Sequence, residues 1–270
     1  MTAPQPPHRT LLVGFGKLGA RLAPRLVADG GEVVALRRSD GPLPQGVTGV
    51  VGDLAAPLPE PLPAVDAVVV TLPPGTGASA YPSVLAHLAA ALPTMPARTV
   101  FVSSTGVFDG AGSPTPLTER DAPEPVTDRG RGLREGERAA VDLFGAVVVR
   151  PAGIYGPGRD FLVRRVREGA PVNPRRRTNR IHETDLVRTL DLLLRMPEPP
   201  SLVHAVDAAP APLGDVVAFL AARLGLPVPP DDGGSVNGFV YDGALLRSLL
   251  GHLDYPSFED GYADMLERGA

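Results

Sequence analysis

Short, unbroken apolar runs punctuate the N-terminal half of the chain. They fall at Thr10–Val13, within Glu32–Leu36, and at Val47–Val51, Asp66–Thr71, Thr99–Ser103 and Ala146–Arg150, each the length of a strand. Between them apolar residues recur at helical spacing. Leu18, Leu22 and Leu26 share one face, and Ala78–Leu92 and Gly132–Leu143 read as two more helices. Strands that are apolar throughout, rather than at alternate positions, are buried on both faces. The alternation therefore predicts a parallel sheet with helices on each side. Pro24 falls inside the first helix and predicts a bend, since proline lacks the N–H that an interior turn uses. Gly30 and Gly31 end that helix, and a proline-studded loop occupies Ala55 to Ala64.

After Arg150 the rhythm changes. Gly153–Arg159 is a Gly/Pro turn cluster, Glu183–Arg195 an amphipathic helix, Leu202–Val206 a strand and Leu213–Leu224 a further helix. No internal repeat or low-complexity linker separates the two stretches, so one compact body is expected.

Composition narrows the function classes. The chain has 270 residues, 43% hydrophobic and 21% charged, which is a globular balance. A net charge of −4 gives no global basic field for nucleic acid or an anionic membrane. With no cysteine there is no disulfide, thiolate metal site or cysteine nucleophile. His8, His87, His204 and His252 show no pairing by spacing, and no metal site is expected. No apolar run approaches the roughly 20 residues that span a bilayer. The N-terminus is polar and proline-rich without a signal-peptide core, so a cytoplasmic protein is expected.

The chemistry starts at Gly14-Phe15-Gly16-Lys17-Leu18-Gly19, a G-x-G-x-x-G between a predicted strand and a predicted helix. The first glycine makes the tight turn, the second lets backbone approach a pyrophosphate, and the third lets the helix pack on the strand. The helix N-terminus then offers N–H groups and a positive dipole end to the phosphates. At the end of the second strand an acidic residue would bind a ribose 2′-OH. This chain has Arg37-Arg38 instead, and a guanidinium suits a 2′-phosphate, so the expected cofactor is NADP. Asp53 and Leu54, after the third strand, are placed to meet the adenine. Thr71-Leu72-Pro73, after the fourth, borders the ribose side. The expected fold is α/β: a doubly wound parallel-sheet Rossmann fold with a small C-terminal substrate lobe. Residues 1–9 are read as a flexible tail, residues 10–155 with about 181–206 as the NADP-binding domain, and residues 156–180 and 207–270 as the substrate-side lobe.

Three further stretches join the glycine motif: Ser103-Ser104-Thr105-Gly106-Val107-Phe108, Arg150-Pro151-Ala152-Gly153-Ile154-Tyr155-Gly156-Pro157-Gly158, and Ile181-His182-Glu183-Thr184-Asp185-Leu186. In this order they resemble the extended and atypical short-chain dehydrogenase/reductase superfamily, in particular its NAD(P)-dependent epimerase/dehydratase-type members, over roughly residues 10 to 260. The resemblance implies that Thr105 polarises a substrate carbonyl. It places Ser103, Pro151 and Ile154 at the cofactor, and Ser104, Arg159, Arg180 and His182 on the substrate side. It also implies a Tyr-x-x-x-Lys dyad, with tyrosine as acid/base, which the chain lacks. Counting 24 residues from Thr105 reaches Arg129, with Leu133 at the lysine position. A guanidinium stays protonated and cannot act as a general base, though it can steady an oxyanion or bind an anion. The alternative for Arg129 is a solvated side chain.

Other residues are open to two readings each. Tyr155 is either a proton donor or a packing residue of its turn. His182 has the intrinsic pKa for acid/base work or makes a structural hydrogen bond. Asp128 is a candidate carboxylate base. Arg175-Arg176-Arg177, with Arg180, either lines an anionic-substrate pocket or is a solvated loop. Three functions follow. One is an NADP-dependent enzyme of epimerase, dehydratase or reductase kind acting on a small carbonyl or alcohol. Another is a non-catalytic NADP(H)-binding sensor. The third is an enzyme whose fold holds substrate with no hydride chemistry. The lobe after Arg150 is short for a nucleotide-sugar binder, which favours a smaller substrate. A homodimer through Gly132–Leu143 is the default assembly.

Overall fold

The computed structural model describes residues 6–73, 80–110 and 112–269. In chain order the elements are β1 (Arg9–Val13), α1 (Lys17–Ala28), β2 (Glu32–Arg37), β3 (Val47–Val51), β4 (Ala67–Val70), α2 (Ala80–Ala91), β5 (Arg98–Val102), a 3₁₀ turn (Thr105–Val107), β6 (Ser113–Leu117), α3 (Asp128–Phe144) and β7 (Val147–Pro151). There follow β8 (Gly153–Tyr155), α4 (Phe161–Arg167), β9 (Arg177–Thr178), β10 (Arg180–His182), α5 (Glu183–Arg195), β11 (Leu202–Ala205), β12 (Ala211–Pro212), α6 (Leu213–Leu224), β13 (Phe239–Tyr241), α7 (Ala244–Leu250) and α8 (Phe258–Glu267).

The strongly periodic segments fall where the pattern puts them. β3, α5 and α6 have the expected bounds. Pro24 lies within α1, whose buried face of Leu18, Leu22, Ala23 and Leu26 carries the helix through to Ala28. Helix α3 starts four residues before the expected Gly132. Thr127 caps it, its hydroxyl accepting from the Gly130 amide at 3.0 Å, and Gly145 closes it in the left-handed conformation. Ala78 and Ser79 of the expected second helix lie outside the described residues.

The central sheet has seven strands in the order β11-β7-β5-β4-β1-β2-β3. The pairs β1–β2, β2–β3, β1–β4, β4–β5 and β5–β7 all run parallel. This is a Rossmann-type α/β sheet, as expected. The chain winds outward from β1 in both directions, so the topological switch point lies between β1 and β4. A ligand of an open α/β sheet binds there, outside the carboxyl ends of the strands.

The described residues group into two compact units. One draws on the stretches Met1–Val107, Pro123–Arg150 and Val187–Val203. Its core is the sheet itself: β1, β2, β4 and β5 are buried along nearly their whole length, whereas β3 is an exposed edge. The Tyr81 ring of α2 packs edge-on against Phe101 at 5.4 Å and meets α3 at Gly136, where a Cβ would come within 2.8 Å of the ring. The other unit draws on Phe108–Ala122, Pro151–Leu186 and His204–Ala270. Its core gathers Val163 and Val166 of α4, Val216, Val217 and Leu220 of α6, and Phe258, Tyr262 and Met265 of α8 around Tyr155. Short strands tie it together: β8 with β10, β9 with β12, and β6 with β13.

Candidate functional site

The loop after β1 is built as the glycine spacing requires. Gly14 has φ of +86°, and its amide donates to the Leu36 carbonyl at 3.1 Å, pinning the turn to β2. A Cβ at Gly14 would lie 3.0 Å from Leu72 and 3.3 Å from the Thr71 backbone. The Thr71 hydroxyl donates to the Gly14 carbonyl at 2.5 Å, so the ends of β1 and β4 are joined at the switch point. A Cβ at Gly19 would meet the Phe15 ring at 3.2 Å. Gly16 is different: a Cβ there meets nothing within 4 Å. Gly16 is also the N-cap of α1 and supplies no side-chain cap. An open approach thus faces the first-turn amides, which begin with Lys17 and Leu18. These residues fit a dinucleotide pyrophosphate.

The two arginines after β2 have different fates. Arg37 folds onto the following loop: it bonds Asp40 Oδ1 at 3.1 Å, the Pro42 carbonyl at 3.3 Å and the Gly41 carbonyl. Arg38 is exposed and makes no hydrogen bond or ion pair among the described residues. Asp53 is exposed, and its carboxylate accepts from the Ala55 amide at 3.0 Å. Leu54 beside it is buried, with its carbonyl bonded to His87 Nδ1 at 2.9 Å. Leu72 is held by the Tyr81 hydroxyl, which donates to its carbonyl at 2.9 Å, while Pro73 is exposed. Burial raises the Tyr81 pKa, and the Arg129 charge nearby offsets part of that rise.

Past β5, Ser103 and Thr105 are buried and Ser104 is half-buried. The Ser104 hydroxyl accepts from the Gly106 amide at 3.0 Å, shaping the 3₁₀ turn that carries Thr105. The Ser103 hydroxyl donates to Glu137 Oε1 at 2.8 Å. Glu137 is 1% exposed and accepts from Arg150 Nε at 2.7 Å, Arg150 Nη2 at 2.8 Å and Arg134 Nη1 at 3.0 Å. On the same helix Arg129 is exposed in the first turn and Leu133 is buried. Asp128, also exposed, pairs with Arg131 at 2.6 Å.

In the second unit Pro151 is buried and Ile154 half-buried, the latter in register with Ile181. Tyr155 is 3% exposed, and its hydroxyl donates to the Ser257 carbonyl at 3.1 Å. Its ring packs on Tyr262 at 4.6 Å and edge-on to His182 at 5.2 Å. Burial and nearby Asp207 raise the phenol's pKa. His182 is buried at the entry to α5, where its Nδ1 accepts from the Thr184 amide at 3.2 Å, in the manner of a helix cap. Arg159 reaches the buried Glu183 at 3.3 Å. Arg180 is buried, bonded to the Thr178 hydroxyl at 2.7 Å and stacked over Phe258. The arginine run is largely engaged within its own unit: Arg175 pairs with Asp231 at 2.6 Å and Arg177 bonds the Gly238 carbonyl at 3.4 Å, leaving Arg176 exposed.

The comparisons agree with this architecture. A sequence profile of the RmlD substrate binding domain matches residues 80–175. Among solved structures, a provisionally named NAD-dependent epimerase/dehydratase from Methylobacillus flagellatus is 28% identical, with a TM-score of 0.80 over 97% of this chain and 98% of that one. Both likenesses are consistent with the extended or atypical short-chain dehydrogenase/reductase superfamily. Two more distant members of the comparison are similar in fold. MoeE5, solved with UDP-glucuronic acid and NAD, is 23% identical (TM-score 0.76; 97% of this chain, 100% of that chain). The UDP-glucuronic acid 4-epimerase of Bacillus cereus, solved with NAD, is 17% identical (TM-score 0.73; 96% and 99%). No curated protein sequence matches.

On α3, Arg129 and Leu133 stand four residues apart, and the chain contains no Tyr-x-x-x-Lys. Sequence reasoning passed over Glu137 and Tyr81. A signal for Glu137 was present: it lies one helical turn after the apolar Leu133, on the face that turns inward, and Arg150 closes an otherwise apolar strand. Two opposite charges at positions patterned for burial mark an internal pair. No helix among the described residues is long and apolar enough to cross a membrane.

Proposed function

We propose that the chain is an NADP(H)-dependent oxidoreductase of epimerase, dehydratase or reductase kind, which moves hydride to or from a small carbonyl or alcohol. The observation that carries the cofactor choice is Arg38: an exposed guanidinium, uncommitted among the described residues, at the end of β2 with Arg37 beside it. A free guanidinium can meet a 2′-phosphate with two hydrogen bonds, whereas an unphosphorylated ribose gives it little to bind. We read Arg37 as the strut that shapes the loop and Arg38 as the phosphate contact. The loop from Gly14 to Gly19 takes the pyrophosphate, Asp53 and Leu54 face the adenine, and Thr71, Leu72 and Pro73 border the ribose side. Ser103, Pro151 and Ile154 serve the nicotinamide half. The NAD in the fold relatives' structures supports a nicotinamide dinucleotide.

On the substrate side we assign the carbonyl-polarising role to Thr105 and substrate contacts to Ser104, Arg159, Arg180 and His182. Arg129 steadies developing negative charge through its guanidinium. A proton from Tyr155 requires its bond to Ser257 to open. Tyr155→Phe tests this. If Tyr155 is the donor, turnover falls by about a hundredfold or more with cofactor binding unchanged. Equal turnover leaves it a packing residue. A small, anionic substrate and a homodimer complete the reading.

A second reading, a non-catalytic NADP(H)-binding sensor, is favoured by one observation. Tyr-x-x-x-Lys is absent, and both Tyr155 and His182 are buried with hydrogen bonds engaged. The deciding experiment follows nicotinamide fluorescence during titration with NADPH and NADH, then absorbance with a panel of small carbonyl compounds. Binding with NADPH consumption supports the enzyme, and binding with no consumption on any carbonyl supports the sensor.

A further inference from the structure

Ser103 stands immediately past the carboxyl end of β5, and it is held twice. Its amide donates to the Val149 carbonyl at 2.7 Å, and its hydroxyl donates to Glu137 at 2.8 Å. The carboxylate at the other end of that bond is itself immobilised. Arg150 grips it with Nε and Nη2, and Arg134 adds a third guanidinium bond at 3.0 Å. Both Glu137 oxygens accept from guanidinium N–H groups, which are donors only, and Oε1 accepts from the Ser103 hydroxyl as well. The direction of the Ser103 bond is therefore fixed.

A serine hydroxyl has one proton and two lone pairs. With the proton committed to a carboxylate, the oxygen presents only acceptor capacity to anything beyond it. Donation to an ion also polarises the O–H bond and strengthens the oxygen as an acceptor. The position matters as well. The glycine loop sits at β1 and Arg38 at β2, while β4 and β5 lie on the other side of β1. A dinucleotide across the switch point, adenosine toward β2, brings its nicotinamide half toward β4 and β5.

We infer that Ser103 Oγ accepts a hydrogen bond from the nicotinamide half of the cofactor, and that Glu137 is the positioning residue that makes it an acceptor. The donor is either the carboxamide N–H or a ribose hydroxyl, which share this chemistry. The inference rests on the dinucleotide reading above.

The test measures the binding of NADPH and of its 3-acetylpyridine analogue, in which a methyl group replaces the carboxamide NH₂. Wild type, Ser103→Ala, Glu137→Gln and the double variant are compared. Ser103→Ala should weaken NADPH binding by about fivefold to tenfold, the size of one hydrogen bond. Glu137→Gln should weaken it in the same direction, and the double variant no further than the worse single one. If the carboxamide is the donor, wild type binds the analogue more weakly than NADPH and Ser103→Ala no longer tells them apart. If a ribose hydroxyl is the donor, Ser103→Ala loses the same factor on both ligands. Ser103→Ala binding both ligands as wild type does would overturn the inference while leaving the dinucleotide reading intact. Wild type binding neither NADPH nor NADH would overturn both. Should Glu137→Gln fail to fold, the Ser103→Ala affinities alone decide between these outcomes.

Discussion

Arg37 and Arg38 are adjacent and identical in chemistry, yet one is part of the scaffold and the other is available. Arg37 gives its guanidinium to the loop at Asp40, Gly41 and Pro42; Arg38 faces solvent. The sequence named the pair but could not divide the roles, because the division depends on how the β2–β3 loop folds back. Asp207 is a second residue whose behaviour comes from its surroundings. It is buried, and loss of solvation pushes its pKa from 3.8 up to about 7, with Arg180 and the Ala209 amide opposing that rise. Between those two values the folded protein holds a proton that the unfolded chain has lost. The stabilisation is complete below about pH 4, declines as pH rises to about 7 and is gone above it. The amplitude is at most about 4 kcal/mol. Asp207→Asn should therefore match wild type near pH 4 and be the more stable protein at pH 8, by urea denaturation. A difference between the two that does not change with pH would contradict the burial argument.

At the scale of elements, the legible parts are those with a strong period or unbroken apolar character. β3, α5 and α6 were readable to the residue because hydrophobic pattern and stop signals coincide. β6 was not, since Ser113–Leu117 contains two prolines and its middle residues are exposed, so it has neither a strand's composition nor its alternation. The two-residue strands β9 and β12 exist only because each has the other as partner. The start of α3 was missed because its first turn, Asp128 to Arg131, is polar and its signal is the Thr127 cap. The contact between α2 and α3 at Gly136 makes its own prediction. The Tyr81 ring cannot retreat, being held by its hydroxyl on Leu72 and by Phe101 beneath. Gly136→Ala should cost about 1–3 kcal/mol despite alanine's better helix propensity, read as a lower denaturation midpoint. A stabilised variant would mean that the two helices have room to part.

Across the whole molecule, the order of motifs along the chain makes the parallel sheet legible, because a dinucleotide-binding α/β sheet demands a glycine turn after its first strand. The chemistry beyond the cofactor was less legible. Tyr155 and His182 were candidates by residue type, and only the folded environment reveals a phenol bonded to Ser257 and an imidazole capping α5. The site combines an intact glycine loop with no Tyr-x-x-x-Lys, so cofactor binding and catalysis are separable claims in this protein.

The claim on which the rest depends is NADP(H) binding through the glycine loop and Arg38. The most direct measurement is fluorescence titration of wild type and Arg38→Ala with NADPH and NADH. Wild type should bind NADPH at least about tenfold more tightly, roughly 1.4 kcal/mol, and Arg38→Ala should erase that preference while leaving NADH binding unchanged. Equal affinity of wild type for the two cofactors, or a preference that survives the loss of Arg38, would contradict it.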